Sequence, residues 1–149
     1  MRQYTKFFID GEWVDPIEPR FLAVTDPATE QAYAQISLGS AADVDQAVRA
    51  AHRAFETWGY TRKEDRIAVL EALAVEFDKR AEEMAAATTQ EMGSPIDFSR
   101  EAQVGYTRSS IDDFIAGLKQ IDFEERNDRA PPGARILRDP AGVVGMITP

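Results

Sequence analysis

The sequence predicts an α/β fold in which short strands come before and after three long helices along the chain. Up to Ser37, short apolar and β-branched runs alternate with turn residues, which is typical of strands. From Ser40 to Ile121, apolar residues recur at three- and four-residue spacing, which is typical of amphipathic helices. Val143–Ile147 is short and has no polar side chain, which favours a strand buried on both faces of a parallel sheet.

The composition excludes several classes of function. A net charge of -9, with scattered Lys and Arg, argues against a nucleic-acid partner, because phosphate neutralisation needs clustered cations. The sequence has no cysteine, which removes disulfides, thiolate metal sites and a cysteine nucleophile from these residues, and its single histidine removes a His-rich metal centre. No apolar run reaches the roughly 18 residues that span a bilayer, and the N-terminus has no secretory signal. We therefore expect a cytoplasmic protein with no membrane partner.

The N-terminal strands are bounded by turn residues. Phe7–Val14 contains Asp-Gly between two aromatic or β-branched runs, which predicts a hairpin with a two-residue turn. Phe21–Thr25 and Gln31–Ser37 are two further strand candidates. Asp26–Thr29, with Asp before Pro, predicts the turn between them.

Capping residues predict where the first two helices begin. Ser40 followed by Asp43 resembles a capping box, with Asp in place of the usual Glu or Gln. Thr61–Glu64 is a complete capping box at the start of the second helix.

Glycine and proline predict the remaining helix boundaries. Gly59 and Gly93 end the first and second helices, because Gly is preferred just past a helix end. Ser94 and Pro95 begin the third helix at once, as N-cap and first helical residue.

The C-terminal stretch predicts a connection followed by two strands. Phe123–Gly133 is polar and ends in Pro-Pro-Gly, which indicates a connection only. Arg135–Arg138 alternates as a half-exposed strand does, and Asp139–Gly142 breaks it before Val143–Ile147. Ligands bind outside the carboxyl ends of parallel strands, so this pattern places Ile147, Thr148 and Pro149 at a ligand edge, with a plain strand end as the equal alternative.

Two other chemical features have simpler structural interpretations. His52 lies beside the apolar stripe of the first helix without a Ser or Asp placed to form a catalytic constellation, which favours a partly buried structural histidine. The carboxylate pairs are adjacent in sequence and point about 100° apart on a helix, which favours solvated faces over acid/base pairs. These pairs are Glu82-Glu83, Asp112-Asp113 and Glu124-Glu125.

Four stretches, in the expected order, resemble the N-terminal part of the NAD(P)-dependent aldehyde dehydrogenase superfamily. They match an opening hairpin, an "N-P-A-T" turn with Asp for Asn, a first helix and a "P-x-G-V-V-x-x-I-T-P" segment. These stretches are Phe8–Trp13, Asp26–Glu30, Asp43–Trp58 and Arg138–Pro149. The resemblance covers nearly the whole chain.

The resemblance implies a subunit with a Rossmann-like cofactor domain, a catalytic domain and a small β extension. Residues 1–134 would then be the strand and three-helix part of the cofactor-binding domain, residues 135–141 an oligomerisation-type strand, and residues 142–149 the first strand of the Rossmann-like sheet. Ile147, Thr148 and Pro149 match the strand end that lines NAD or NADP.

The resemblance also implies the chemistry of the complete enzyme. A cysteine attacks the aldehyde, the resulting thiohemiacetal gives hydride to the nicotinamide, and a glutamate activates water to hydrolyse the thioester. An asparagine, which follows the matching proline by two positions, helps to hold the oxyanion. All of these groups would lie beyond Pro149, so we expect no catalytic residue in this chain and no activity from it alone.

Two smaller implications concern a metal ion and subunit contacts. Some family members hold a monovalent cation, for which the carbonyl of Val24 and the carboxylate of Glu91 match as ligands. A solvated Glu91 is the simpler interpretation, so we predict no metal site. The first hairpin and Arg135–Arg138 match elements used in subunit contacts, so a homo-oligomer is expected for the full enzyme.

Two alternatives remain open at this point. The chain could be a non-catalytic interaction or oligomerisation module built from the same fold, since unpaired strands are templates for pairing. The parent could also be an acylating or semialdehyde dehydrogenase, because nothing before Pro149 distinguishes these reactions, the particular aldehyde, or NAD from NADP.

Overall fold

The computed structural model describes residues 1–127, 129, 131 and 133–147, and its N-terminal strands form two separate sheets. The larger sheet has the order β1-β5-β4, with β5 parallel to β1 and antiparallel to β4. Its strands are β1 (Arg2–Tyr4), β4 (Phe21–Asp26) and β5 (Gln31–Ser37). The two longer strands confirm the predicted pair, whereas β1 comes from a stretch with no strand pattern of its own.

The smaller sheet is the predicted hairpin. Strands β2 (Phe7–Ile9) and β3 (Glu12–Val14) pair antiparallel around a two-residue turn. Asp10 and Gly11 both have positive φ, at 57° and 84°, which the type I′ turn of a twisted hairpin requires. The Asp-Gly signal is therefore confirmed, and the turn fixes the register that sets Phe8 against Trp13.

Helix α1 (Ala41–Trp58) begins at the predicted capping box. The Ser40 hydroxyl accepts from the backbone N–H of Asp43, whose carboxylate accepts in return from the backbone N–H of Ser40 at 2.8 Å. The same carboxylate accepts the backbone N–H of Ile17, 26 residues earlier, also at 2.8 Å. Asp43 therefore fixes both the start of α1 and the loop that precedes β4.

Helix α2 (Lys63–Met92) starts without the predicted capping box. Arg62 is its N-cap residue, with no side-chain cap, because the Thr61 hydroxyl donates to the Trp58 carbonyl at 2.8 Å instead. The prediction of a Thr61 cap is thus wrong, because its hydroxyl is hydrogen-bonded within the turn after α1. The helix ends as predicted at Gly93, which is left-handed at φ 73°.

The third helix is continuous but contains a π-helical segment. It consists of α3 (Ile96–Phe98), a π-helical segment over Ser99–Val104, and α4 (Gly105–Gln120). Pro95, rather than Ser94, is the N-cap, one residue later than predicted. The Ser94 and Thr89 hydroxyls each lie 2.8 Å from the buried Ser99 hydroxyl, so this polar group is satisfied at the wider turn.

The core lies between α2 and this third helix. Its buried centre is Phe77, Ala85 and Val104, with Ala81, Ile96 and Ile111 packed around them. Many large apolar side chains elsewhere remain exposed, among them Phe114 and Tyr106 on α4, at 72% and 75%.

The stretch Phe123–Gly133 contains a strand, which corrects its prediction as a connection only. Glu124–Arg126 forms β6, which pairs antiparallel with β7 (Arg135–Leu137). The residues of β6 have low β propensity. Ion pairs from Arg135 to Glu124 and from Arg138 to Glu125 stabilise the two-stranded β6–β7 ribbon and offset this low propensity. The predicted strand over Arg135–Arg138 is confirmed, one residue shorter.

Val143–Ile147 does not form the predicted buried strand within this chain. The residues after Gly142 have no strand partner in the described part of the chain, and Val144 is 67% exposed. A strand gains stability only from neighbours, and the described strands lie in sheets that this segment does not join. The assignment of residues 142–149 to a Rossmann-like sheet stays a prediction.

Candidate functional site

The predicted cofactor edge is the C-terminal segment that contains Ile147, and its described part, residues 143–147, is open to solvent and lies outside the described strands. Gly142 takes a φ of 103°, a left-handed conformation that glycine adopts readily. The side chains at the end of this segment are open to solvent: Met146 is 89% exposed and Ile147 is 98% exposed. Thr148 and Pro149, the other two predicted site residues, lie outside the described residues.

The chemistry of this segment fits one wall of a nucleotide site. Val144, Met146 and Ile147 present apolar surface, as most ligand pockets do, and their backbone groups are free of strand partners in the described part of the chain. At 98% exposure Ile147 has no packing neighbours among the described residues that could enclose a ligand. The described residues therefore supply an edge of a cofactor site and not a closed pocket.

A cleft of about 400 Å³ lies at the base of this segment, and sequence patterns did not indicate it. Arg66 lines this cleft, and its guanidinium is 5.7 Å from the Trp58 ring centroid and 5.6 Å from the Phe123 ring centroid. Both distances are within the range of cation–π attraction. Arg138, Asp139 and Pro140 are also among the lining residues, so the cleft borders the breaker that leads into the cofactor edge.

Arg66 also donates hydrogen bonds to the turn between α1 and α2. Its guanidinium donates to the carbonyls of Gly59 at 2.7 Å, Trp58 at 3.2 Å and Thr61 at 3.3 Å. The Trp58 and Gly59 carbonyls lie at the C-terminal end of α1, where carbonyls have no partner within the helix, and the Thr61 carbonyl lies just before α2. One side chain thus joins the helix turn to the start of the β6–β7 ribbon. A lone arginine in a helical pattern gives no signal of this role.

Arg138 holds the other side of the same ribbon. Its guanidinium donates to the carbonyl of Asp122 at 2.8 Å and to the carboxylate of Glu125 at 2.7 Å. The residue directly before Asp139-Pro140 is therefore anchored at two points. This anchoring sets where the chain departs toward Gly142.

His52 does not take part in a site. It is exposed on α1, which corrects the prediction of a partly buried histidine. Within the described residues it makes no hydrogen bond or ion pair.

Most of the adjacent carboxylates belong to ion pairs on the surface. Glu82 pairs with Arg100 at 3.0 Å, Glu83 with Arg80 at 3.0 Å, and Asp112 with Arg108 at 2.6 Å. The carboxylates of Asp112 and Asp78, which accept from the Arg108 guanidinium, raise the pKa of Arg108. Glu82, Glu83 and Asp112 each contact an arginine, so these carboxylates belong to surface ion pairs and not to a two-carboxylate acid/base site.

Glu91 lies beside a tyrosine. The Tyr33 hydroxyl donates to its carboxylate at 3.1 Å, and burial, followed by this hydrogen bond, raises the pKa of Tyr33. Val24 lies half-buried on β4. Among the described residues, no three acidic, histidine or cysteine side chains come together as metal ligands would.

Within the described ranges, no helix combines the length and apolar character needed to cross a membrane.

Comparison with known proteins identifies the family. The family model described as "Aldehyde dehydrogenase family" matches residues 13–149. A curated relative from Pseudomonas sp, named 3-succinoylsemialdehyde-pyridine dehydrogenase, is 42% identical over 156 residues, an alignment that covers 100% of this chain and 31% of the relative. The chain thus spans about a third of the length of the curated relatives it matches.

Two solved structures share the fold. The crystal structure of an aldehyde dehydrogenase from Bartonella henselae has a TM-score of 0.83 at 42% identity, over 84% of this chain and 26% of that one. A mutant of aldehyde dehydrogenase C from Pseudomonas syringae, in complex with NAD+ and octanal, has a TM-score of 0.80 at 38% identity, over 83% of this chain and 25% of that one. These matches confirm the predicted fold class. The chain belongs to the aldehyde dehydrogenase family, of which it matches the N-terminal part.

Proposed function

We propose that these residues form the N-terminal part of an enzyme that oxidises an aldehyde to a carboxylic acid with NAD(P). The family match over residues 13–149 carries this proposal, and the similarity to a structure that holds NAD+ and octanal supports it. The bound cofactor would accept a hydride from the substrate. As in the family, a cysteine would hold the substrate as a thiohemiacetal and then as a thioester.

The role of this chain is scaffold and cofactor edge. Ile147, Thr148 and Pro149 would line NAD or NADP at the carboxyl end of a parallel strand. The open apolar segment after Gly142 supports this role, because a neighbouring strand and a ligand could both reach its unpaired backbone. The anchored Arg138 would fix where that strand begins.

The 149 residues alone are proposed to be inactive. They contain no cysteine, so they cannot form the thiohemiacetal. The glutamate and asparagine of the family mechanism match no position in this sequence. A homo-oligomer is proposed for the full enzyme, with the β2–β3 hairpin and β7 among its contact elements. A cytoplasmic location stays a prediction.

Reading the coding sequence past Pro149 tests the proposal. We expect a Trp-Asn pair to follow directly, and cysteine and glutamate codons further on in the same frame. A continuous frame without the asparagine or without any cysteine would contradict the proposed chemistry. A stop codon at this position would instead favour the alternative function.

The alternative is a non-catalytic interaction module of the same fold. The observation that favours it is the amount of exposed apolar surface, including Trp13 at 66% and Phe114 at 72%. Size-exclusion chromatography of the purified chain with a full-length family member separates the two functions. A defined complex favours the module, whereas aggregates or no complex favour a part of a longer enzyme.

A further inference from the structure

Among the described residues, the outer edge of β4 has no pairing partner. β4 ends the β1-β5-β4 sheet, so no described strand lies on its far side. This edge is separate from the proposed cofactor segment, and the inference drawn from it does not depend on the proposed catalysis.

The backbone directions along β4 follow from one hydrogen bond. The carbonyl of Arg20 accepts the N–H of Leu38 at 2.8 Å, so Arg20 points its backbone toward β5. Backbone groups alternate in direction along an antiparallel strand. Phe21, Ala23 and Thr25 therefore point their N–H and C=O groups toward the open edge.

The bulge in this sheet does not disturb the open edge. Val24 pairs with Ala34, but Thr25 pairs with Ala32, so the extra residue is Tyr33 on β5. A bulge places its additional residue on one strand only. β4 itself keeps a regular alternation from Phe21 to Asp26.

Two of the usual protections of an edge strand, proline and lysine, are missing from β4. Edge strands are commonly blocked by proline, lysine or an inward-pointing charge. Pro19 and Pro27 flank β4, but the six residues between Arg20 and Pro27 include neither proline nor lysine. Phe21 is 48% exposed and Leu22 is 51% exposed, so both faces beside the edge carry apolar surface.

We propose that β4 pairs antiparallel with β4 of a second copy of this chain, with Ala23 on the two-fold axis. Ala23 is the central edge-facing residue, so this register overlaps the whole strand. Phe21 then lies opposite Thr25 of the other copy, which places their outward backbone groups in hydrogen-bonded pairs. The result is a continuous six-stranded sheet with the order β1-β5-β4 in one copy followed by β4-β5-β1 in the other.

The charges at the two ends of β4, Arg20 just before the strand and Asp26 at its last position, are complementary in this register. Arg20 comes opposite Asp26 of the second copy, as a non-hydrogen-bonded pair in which the side chains approach closely. Asp26 uses Oδ1 to accept the N–H groups of Ala28 and Thr29, and no described residue donates a hydrogen bond to Oδ2. Arg20 currently makes one exposed contact, to the carbonyl of Gly39 at 3.3 Å. Because the dimer is two-fold symmetric, the Arg20–Asp26 pair would form twice, once at each end of the paired strands.

Sedimentation equilibrium of the purified 149-residue chain over a range of concentrations tests the pairing. We expect a monomer–dimer equilibrium in the wild type. The Ala23→Pro variant removes an edge-facing N–H without touching a bond to β5, so the dimer should be lost. The matched control Ala23→Ser keeps that N–H and should keep the dimer, and circular dichroism checks that both variants are folded.

Charge reversal provides a second test that leaves the backbone intact. Arg20→Glu places a like charge opposite Asp26 twice, so we expect the dimer dissociation constant to rise about tenfold. Arg49→Glu, on the exposed side of α1, makes the same change in net charge and should leave the constant unchanged. If Ala23→Pro fails to fold, this comparison alone decides.

Three results would overturn the proposal. The first is a wild-type chain that stays monomeric at every concentration. The second is a dimer that is equally stable in the folded Ala23→Pro variant and in Arg20→Glu. The third is a dimer that Ile136→Lys on β7 disrupts while the β4 variants do not, because that dimer belongs to the β6–β7 ribbon.

Discussion

The carboxylate of Asp43, in the first turn of α1, accepts the backbone N–H of Ile17 at 2.8 Å. The two residues lie 26 positions apart: Ile17 is in the loop between β3 and β4, and strands β4 and β5 separate it from Asp43 along the chain. The same carboxylate closes the capping box with Ser40. One acidic side chain therefore ties the N-terminal strands to the helical part of the chain.

Asp43 makes stability depend on pH. The hydrogen bond from Ile17, and then those from Ser40, hold the pKa of Asp43 below its ordinary value. A depressed folded-state pKa contributes stability above the unfolded-state pKa of about 4, and that stability is lost as the pH falls through the folded-state value. We expect the urea concentration at the unfolding midpoint of the wild type to decrease as the pH falls below about 4.

The Asp43→Asn variant is the comparison for this prediction. It keeps a carbonyl acceptor but cannot titrate, so its midpoint should be lower than wild type at neutral pH and should change less on acidification. Ser40→Thr keeps the capping hydroxyl and should retain the wild-type pH dependence. Identical acid profiles for Asp43→Asn and wild type would show that another group causes the effect.

Two glycines should respond oppositely to alanine. Gly93 has φ 73°, and a Cβ there would lie 2.9 Å from Cγ of Pro27, so Gly93→Ala should lower the free energy of unfolding by about 1–2 kcal/mol. Gly117 lies inside α4, where an added Cβ would meet no atom within 4 Å, so Gly117→Ala should raise it by about 0.5–1 kcal/mol. Urea titration measures both. Equal effects of the same sign would contradict the assigned conformations.

Arg66 should matter more than its exposed neighbour on the same helix turn. Arg66→Ala removes two ring contacts and the hydrogen bonds to the turn, so we expect a loss of about 1–2 kcal/mol in the free energy of unfolding. Arg62→Ala removes only an exposed ion pair with Asp65 and should have no measurable effect. Similar losses in both variants would mean that helix charge, rather than the Trp58–Phe123 contact, is responsible.

Local signals predicted the parts of the fold that are decided locally. Asp10-Gly11, Ser40 with Asp43, and Gly93 each impose a backbone conformation through their own side chain or its absence. Thr61 carried an equally good helix-start signal, but its hydroxyl is used by the preceding turn. A capping signal is therefore reliable only where no nearer acceptor competes.

Pairing between distant segments accounts for the features that the sequence did not predict. β1 forms from three residues because β5 offers a parallel partner, and β6 forms from Glu-Glu-Arg because β7 supplies the opposing arginine. Val143–Ile147 has a strong strand pattern but no described neighbour, so its pattern alone does not produce a strand. Of the site, only Ile147 lies among the described residues, and the cleft around Arg66 depends on its contact with the distant Phe123.

An assay for NAD(P)-dependent aldehyde oxidation by the purified 149-residue chain tests the central claim most directly. Aliphatic aldehydes such as octanal are tested with NAD and with NADP, and the formation of reduced cofactor is followed against a blank without protein. We expect no turnover above the blank, because this chain holds a scaffold and one edge of the cofactor site but no cysteine. Turnover above the blank that persists through repeated purification would contradict that division of roles.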